Sequence, residues 1–144
     1  MSGQLTYKGA VYPWHCDHMG HMNVMWYVGK FDEATWAFFA SLGLTPSSLR
    51  AQNKGMAALD QRLTYQREAH PGDTLEIHTR PLEVKDKTIR FFHEMTDCET
   101  GEVCSTCELV AVHLDTVARK GIALPDDVRQ KAAALIGPDG SVSL

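Results

Sequence analysis

The chemistry of this chain is concentrated in one short stretch, His15-Cys16-Asp17-His18-Met19-Gly20-His21-Met22-Asn23. It stands directly before a helical pattern. The first turn of a helix carries unpaired N–H groups and a partial positive charge. Such a turn can polarise a carbonyl or hold a developing oxyanion. Asp17 lies six residues before the helix cap at Asn23, with Gly20 between them to let the backbone fold back. A carboxylate and an oxyanion donor facing one carbonyl make a minimal acyl-transfer site. The same stretch also offers metal-ligand types in His15, Cys16, Asp17, His18 and His21. Their spacing is crowded and no second ligand cluster accompanies them, so no metal is expected.

The elements that must position this stretch follow from periodicity. Residues 5–12 read as a first strand. From Asn23, the residues Val24, Val28, Phe31, Thr35, Phe38 and Leu42 step by four and three, and Tyr27, Ala34 and Phe39 widen the stripe. Lys30, Asp32 and Glu33 fall outside it. Asn23 suits the N-cap and Gly43 the position after the C-cap. The wide stripe predicts a long, buried central helix. Thr45-Pro46 opens a short second helix. The period then changes to two: Ala57, Leu59, Leu63 and Tyr65 mark a strand over 56–67. A turn at Pro71-Gly72-Asp73 leads to a strand beginning at Leu75 and Ile77 that slips phase at Pro81, the mark of a bulge or an edge. After a polar turn at Lys85-Asp86-Lys87 come a strand through Ile89, Phe91, His93 and Met95, a hairpin loop at 99–102 and a last strand over 103–115. A final short helix starts near Leu124-Pro125 and ends near Gly137, with 138–144 as a frayed tail. Short turns force antiparallel pairing. One long helix against one antiparallel sheet is an α+β domain. Met19, Met22 and Met25 are expected to fill the core. Trp14, Trp26 and Trp36 are expected in an acyl pocket or a subunit interface, with the core equally open to Trp36, and His93 and His113 as structural residues.

Composition sets the outer limits. The 144 residues suit a single domain over 1–144, and 44% hydrophobic with 22% charged residues is globular usage. Fourteen basic against eighteen acidic residues give a net charge of −4, which excludes a general nucleic-acid binder. No apolar run reaches the roughly 20 residues that span a bilayer, and the first ten residues lack a signal-peptide core. No membrane association and a cytoplasmic location are expected. Cys104 and Cys107 form a CxxC, but inside a strand pattern with no turn, so neither zinc nor redox function is expected.

The pattern W-x-x-D-x-x-G-H-x-N-x-x-x-Y from Trp14 to Tyr27, followed by F-D-E-A, resembles the 4-hydroxybenzoyl-CoA thioesterase family of hotdog-fold acyl-CoA thioesterases. The G-D-T-L-E-I strand start, the T-G-E-V hairpin and the R-K-x-x-x-L-P exit (Arg119, Lys120, Leu124, Pro125) follow in the family's order. The resemblance implies an antiparallel sheet of about five strands wrapped around one long helix. It also implies roles. Asp17 matches the catalytic carboxylate, as nucleophile or as general base. The backbone N–H of Val24 matches the oxyanion donor. Gly20 permits the approach of the loop, while His21 and Asn23 order it and cap the helix. Tyr27 packs near the acyl pocket. Lys85, Lys87 and Thr88 match a basic turn that meets coenzyme A phosphates in some members. His15 stands where many members carry an acidic residue, and is expected to act on Asp17 or on the substrate. His18 is expected either at the pocket or in solvent. Coenzyme A would be part of the substrate, so no separate cofactor is implied.

Two other functions fit a hotdog fold. A non-catalytic acyl-CoA-binding protein would not need Asp17 beside a helix cap. An enoyl-CoA hydratase would carry a G-D-x-N-P-type motif, whereas Gly72-Asp73 is followed by Thr74-Leu75. One helix and one sheet use up nearly all of the chain. A second copy is therefore expected to complete the site, with a homodimer as the minimum unit and a homotetramer as the fuller assembly.

Overall fold

The computed structural model describes residues 3–136. Strand β1 (Gln4–Ala10) leads through a 3-10 turn at Pro13–His15 into helix α1 (Val24–Ser41). Helix α2 (Pro46–Ala51) precedes four long strands: β2 (Lys54–Tyr65), β3 (Thr74–Val84), β4 (Thr88–Asp97) and β5 (Val103–Asp115). A two-residue strand β6 (Lys120–Gly121), which periodicity did not foresee, and helix α3 (Asp126–Ala134) close the described chain. The 138–144 tail lies outside the described residues. All pairings are antiparallel, in the order β1-β3-β4-β5-β2, with β6 beside β5. This is the α+β arrangement of a sheet and one long helix expected from the pattern. Among the described residues no helix is long and apolar enough to cross a membrane.

The core forms where α1 lies on the sheet. Phe31, Ala34, Phe38 and Phe39 of α1 are buried, and Phe38 and Phe39 both meet Phe91 of β4. Leu75, Ile77, Ile89, Met95, Cys107, Leu109 and Ala111 are buried on the alternating positions of β3, β4 and β5. Gly43, with φ 98°, turns the chain away after the C-cap at Leu42. The phase slip of β3 is a bulge between Pro81 and Glu83. The Asp97 carboxylate holds the 99–102 loop by accepting from the N–H groups of Glu99 and Thr100.

Several expectations need correction. The outer face of α1 is open, with Met25, Asp32, Glu33 and Trp36 exposed, so the helix is buried on its sheet side and not all round. Lys30 is buried, on the same face as Tyr27 and Ala34, because its Nζ donates to the Tyr7 hydroxyl of β1 at 2.6 Å. Burial holds the Lys30 ammonium below its ordinary pKa and pushes the Tyr7 phenol up. Strand β2 forms, but Leu59 and Tyr65 are exposed. It is an edge strand whose register shifts between Ala58 and Asp60: Met56 is buried and Leu63 packs against the core, while Leu59 is left open to solvent. Met22 is core, whereas Met19 and Met25 are exposed on the loop and on the outer helix face. The strand runs through both Cys104 and Cys107. These thiols are free and buried, and burial pushes them up to about 11 and about 12, which leaves them inert.

His93 is fully buried, and both of its ring nitrogens are paired. Its Nε2 meets the Thr35 hydroxyl at 2.8 Å and its Nδ1 the Thr79 hydroxyl at 2.6 Å, and Phe31 stacks on the ring. His113, also buried, is tied to the Ala123 carbonyl. Burial lowers the His93 pKa to about 3. The folded state therefore keeps this ring neutral where the unfolded chain protonates it. Stability is retained above the ordinary histidine pKa of about 6.5 and falls as pH drops from there towards 3. The melting temperature of the wild type should decline over that window, and His93→Gln, though destabilised, should show a flatter decline; parallel profiles would exclude His93 as the cause.

Candidate active site

The loop before α1 folds as a miniature hairpin. Cys16 and Met22 form a bridge, the Asp17 N–H donates to the His21 carbonyl, and the Gly20 N–H donates to the Asp17 carbonyl. Gly20 closes this turn at φ 86°, a conformation that costs a side-chain-bearing residue about 1 kcal/mol or more. Two backbone bonds seat the hairpin. The Met22 N–H donates to the Ala69 carbonyl at 2.7 Å and the Asn23 N–H to the His15 carbonyl at 2.9 Å.

Asn23 joins this loop to the helix. Its Oδ1 accepts the Met25 N–H at 3.0 Å and caps α1, while its Nδ2 donates to Oδ2 of Asp17 at 2.9 Å. The other carboxylate oxygen of Asp17 accepts the Met19 N–H at 2.9 Å. The Asn23 amide, then the Met19 N–H, and more weakly His21 and His18, hold the Asp17 carboxyl below its ordinary pKa. Each carboxylate oxygen keeps a lone pair free. One residue on, the Val24 N–H opens the helix, and no acceptor takes it among the described residues.

A cavity of about 370 Å³ has Val24 in its lining. One wall is His21, Met22, Val24 and Tyr27; the other is the segment Tyr65–Glu68 at the end of β2. Tyr27 is buried, donates its hydroxyl to the Arg67 carbonyl at 3.2 Å and meets the Tyr65 ring edge-on at 5.3 Å. Burial raises the Tyr27 phenol pKa. The second wall escaped the sequence reading. Its signal was an Arg67-Glu68 pair between an edge strand and a P-G-D turn, which reads as solvated surface on charge alone.

The structure thus gathers Asp17, Gly20, His21 and Asn23 in one hydrogen-bonded loop, while His21, Val24 and Tyr27 line the cavity, whose lining does not include Asp17. His15 is buried away from the carboxylate. Its Nδ1 accepts the Tyr12 N–H at 3.1 Å, its ring lies 4.3 Å from Trp26, and burial, aided by Lys30, lowers its pKa. It supports the loop through its backbone carbonyl and is not among the groups that shift Asp17. His18 is exposed and reaches Asp17 only as a nearby charge. Trp14 is exposed and stacks on Tyr12 at 4.6 Å. Lys85, Lys87 and Thr88 sit at the far end of β3 from Thr74, which pairs with Ala10 of β1, the strand that leads into the loop. A strand of that length spans roughly 30 Å. One chain does not bring this turn to Asp17. Among the described residues no group of three or more His, Cys, Asp or Glu is placed to hold a metal ion.

Residues 11–132 match the family model described as the thioesterase-like superfamily. The chain belongs to that superfamily. This thioesterase-like chain is 30% identical over 109 residues to an L-carnitine dehydrogenase/betainyl-CoA thioesterase of Agrobacterium fabrum, covering 76% of the chain and 22% of that protein. It is 24% identical over 130 residues to a betainyl-CoA thioesterase of Pseudomonas aeruginosa, covering 90% of the chain and 82% of that protein. The chain thus spans about a quarter of the fused relatives and most of the shorter one. Among solved structures, a Staphylococcus aureus hypothetical protein in complex with CoA superposes with a TM-score of 0.87 at 21% identity, covering 100% of this chain and 90% of that one. A 1,4-dihydroxy-2-naphthoyl-CoA thioesterase from Synechocystis superposes with a TM-score of 0.81 at 18% identity, covering 93% and 98%. These likenesses establish the hotdog fold.

Asn23→Ala removes a helix cap and the strongest contact on Asp17 together. It should cost about 1 kcal/mol at neutral pH. The Asp17 carboxyl should also titrate at a higher pH than in the wild type, followed by carbon NMR of the side chain. Unchanged titration would mean that Asn23 does not set the charge of Asp17.

Proposed function

We propose that this chain hydrolyses a coenzyme A thioester to a free carboxylic acid and coenzyme A. The observation that carries the proposal is the double role of Asn23, which holds an ionised Asp17 beside the first free N–H of α1. The thioester carbonyl points its oxygen at the Val24 N–H, where the helix dipole favours the charge that develops on attack. Asp17 then acts in one of two ways. As general base it takes a proton from water while the water oxygen bonds to the carbonyl carbon. As nucleophile it bonds to that carbon itself, and water later cleaves the mixed anhydride. In both, the carbon–sulfur bond breaks and the thiolate leaves, to be protonated as coenzyme A. The acyl chain occupies the cavity between Tyr27 and Tyr65–Glu68.

The adenine nucleotide end needs cations, and Lys85 and Lys87 lie too far along β3 to serve the Asp17 of their own chain. A second copy supplies them in this reading, so the working unit is a homodimer, alone or within a tetramer, acting in the cytoplasm. The exposed outer face of α1 and the open edge of β2 favour such an assembly. Sedimentation should give a dimer or larger, and an active monomer would refute the shared site.

Asp17→Asn keeps the shape of the side chain and one of the two acceptors that meet the Met19 N–H and the Asn23 amide, but removes the charge. A thiol-detecting assay across aliphatic, aryl and charged acyl-CoAs should find activity in the wild type and a loss of at least a hundredfold in the variant, with an unchanged circular dichroism spectrum. Retained hydrolysis would sink the assignment. Acyl-CoA binding without thiol release in the wild type would favour a binding protein instead.

A further inference from the structure

The cavity that Val24 lines carries an unbalanced charge. Two of its lining residues are charged, Arg67 and Glu68. The Arg67 guanidinium is already matched: its Nη1 lies 2.9 Å from Oε2 of Glu102 and 3.1 Å from the Thr100 hydroxyl. Glu68 meets only imidazoles, His21 at 3.7 Å and His70 at 3.4 Å. Among the described residues no lysine or arginine meets the Glu68 carboxylate. Its charge is felt inside the cavity, because it is one of the groups that raise the Tyr27 pKa. The perpendicular rings of Tyr27 and Tyr65 form a corner beside it. A carboxylate next to aromatic faces suits a cation, and a quaternary ammonium above all, since that group is weakly hydrated and cannot be satisfied by hydrogen bonds.

We infer that Glu68 is a specificity-determining residue that selects a positively charged acyl group, with Tyr27 and Tyr65 as its aromatic walls. The inference rests on the thioesterase reading above and names the substrate class of the same site. The carbonyl would lie at the Val24 N–H and the cation at Glu68, two residues that line one cavity of about 370 Å³, which suits a short acyl group. The betainyl group named in the relatives is such a group: a trimethylammonium one methylene from the carbonyl.

The test compares betainyl-CoA with 3,3-dimethylbutyryl-CoA, which has the same shape with carbon in place of the charged nitrogen. In the wild type, kcat/KM should favour the cation by about tenfold, in keeping with one partly exposed charge contact and one aromatic contact. Glu68→Gln should bring the ratio near one. A wild-type ratio near one, or a ratio unmoved by Glu68→Gln, overturns the inference. Turnover of other acyl-CoAs but of neither probe also overturns it and leaves the hydrolase reading standing. Calorimetry with Asp17→Asn separates the two claims further. That variant should bind betainyl-CoA about tenfold more tightly than the neutral analogue, and Asp17→Asn/Glu68→Gln should not. Equal binding in Asp17→Asn overturns the inference whether or not the chain is a hydrolase.

Discussion

The site depends on two hydrogen bonds made by one side chain. Asn23 spends its carbonyl on the Met25 N–H and its amide on the Asp17 carboxylate. The first bond fixes where α1 begins, and so fixes which N–H is left open at Val24. The second fixes where the carboxylate stands relative to that N–H. An N-cap serine or threonine could supply the first bond but has no NH2 group for the second. An aspartate could cap the helix but would repel Asp17. The amide is the side chain that meets both needs, and it keeps its neighbour ionised as a by-product.

Everything around that residue holds the loop to the helix. The Ala69 carbonyl takes the Met22 N–H and the His15 carbonyl takes the Asn23 N–H, so the hairpin is pinned from the sheet side and from its own start. The 3-10 turn with Tyr12, His15 and Trp26 packs under the loop. On the other side the Tyr27 hydroxyl reaches the Arg67 carbonyl and ties the cavity wall to the helix. The site is thus built on the first turn of a helix whose next three turns are locked against β4 by Phe31, Phe38 and Phe39.

Much of this was legible in the sequence, for a physical reason. Helix period, cap residues and the glycines with positive φ are local signals, so α1, its cap at Asn23 and the turn at Gly20 could be read directly. The strands with strict alternation, β4 and β5, were equally plain. What the sequence hid were tertiary pairings. Lys30 reads as surface until Tyr7 is found above it, His15 reads as a partner for Asp17 until its ring is seen under Trp26, and Leu59 reads as core until β2 proves to be an edge. The wall at Tyr65–Glu68 was hidden for the same reason: its role comes from a neighbour some forty residues away.

The length of β3 has an evolutionary consequence. The Tyr65–Glu68 segment that walls the cavity precedes β3 and the turn at Lys85 to Thr88 follows it, so the whole strand separates them in sequence, and distant sites tolerate substitutions independently. Each end can therefore vary without retuning the other. A lineage built on this fold is free to remodel the Tyr65–Glu68 wall of the cavity while the turn at the other end of β3 stays untouched.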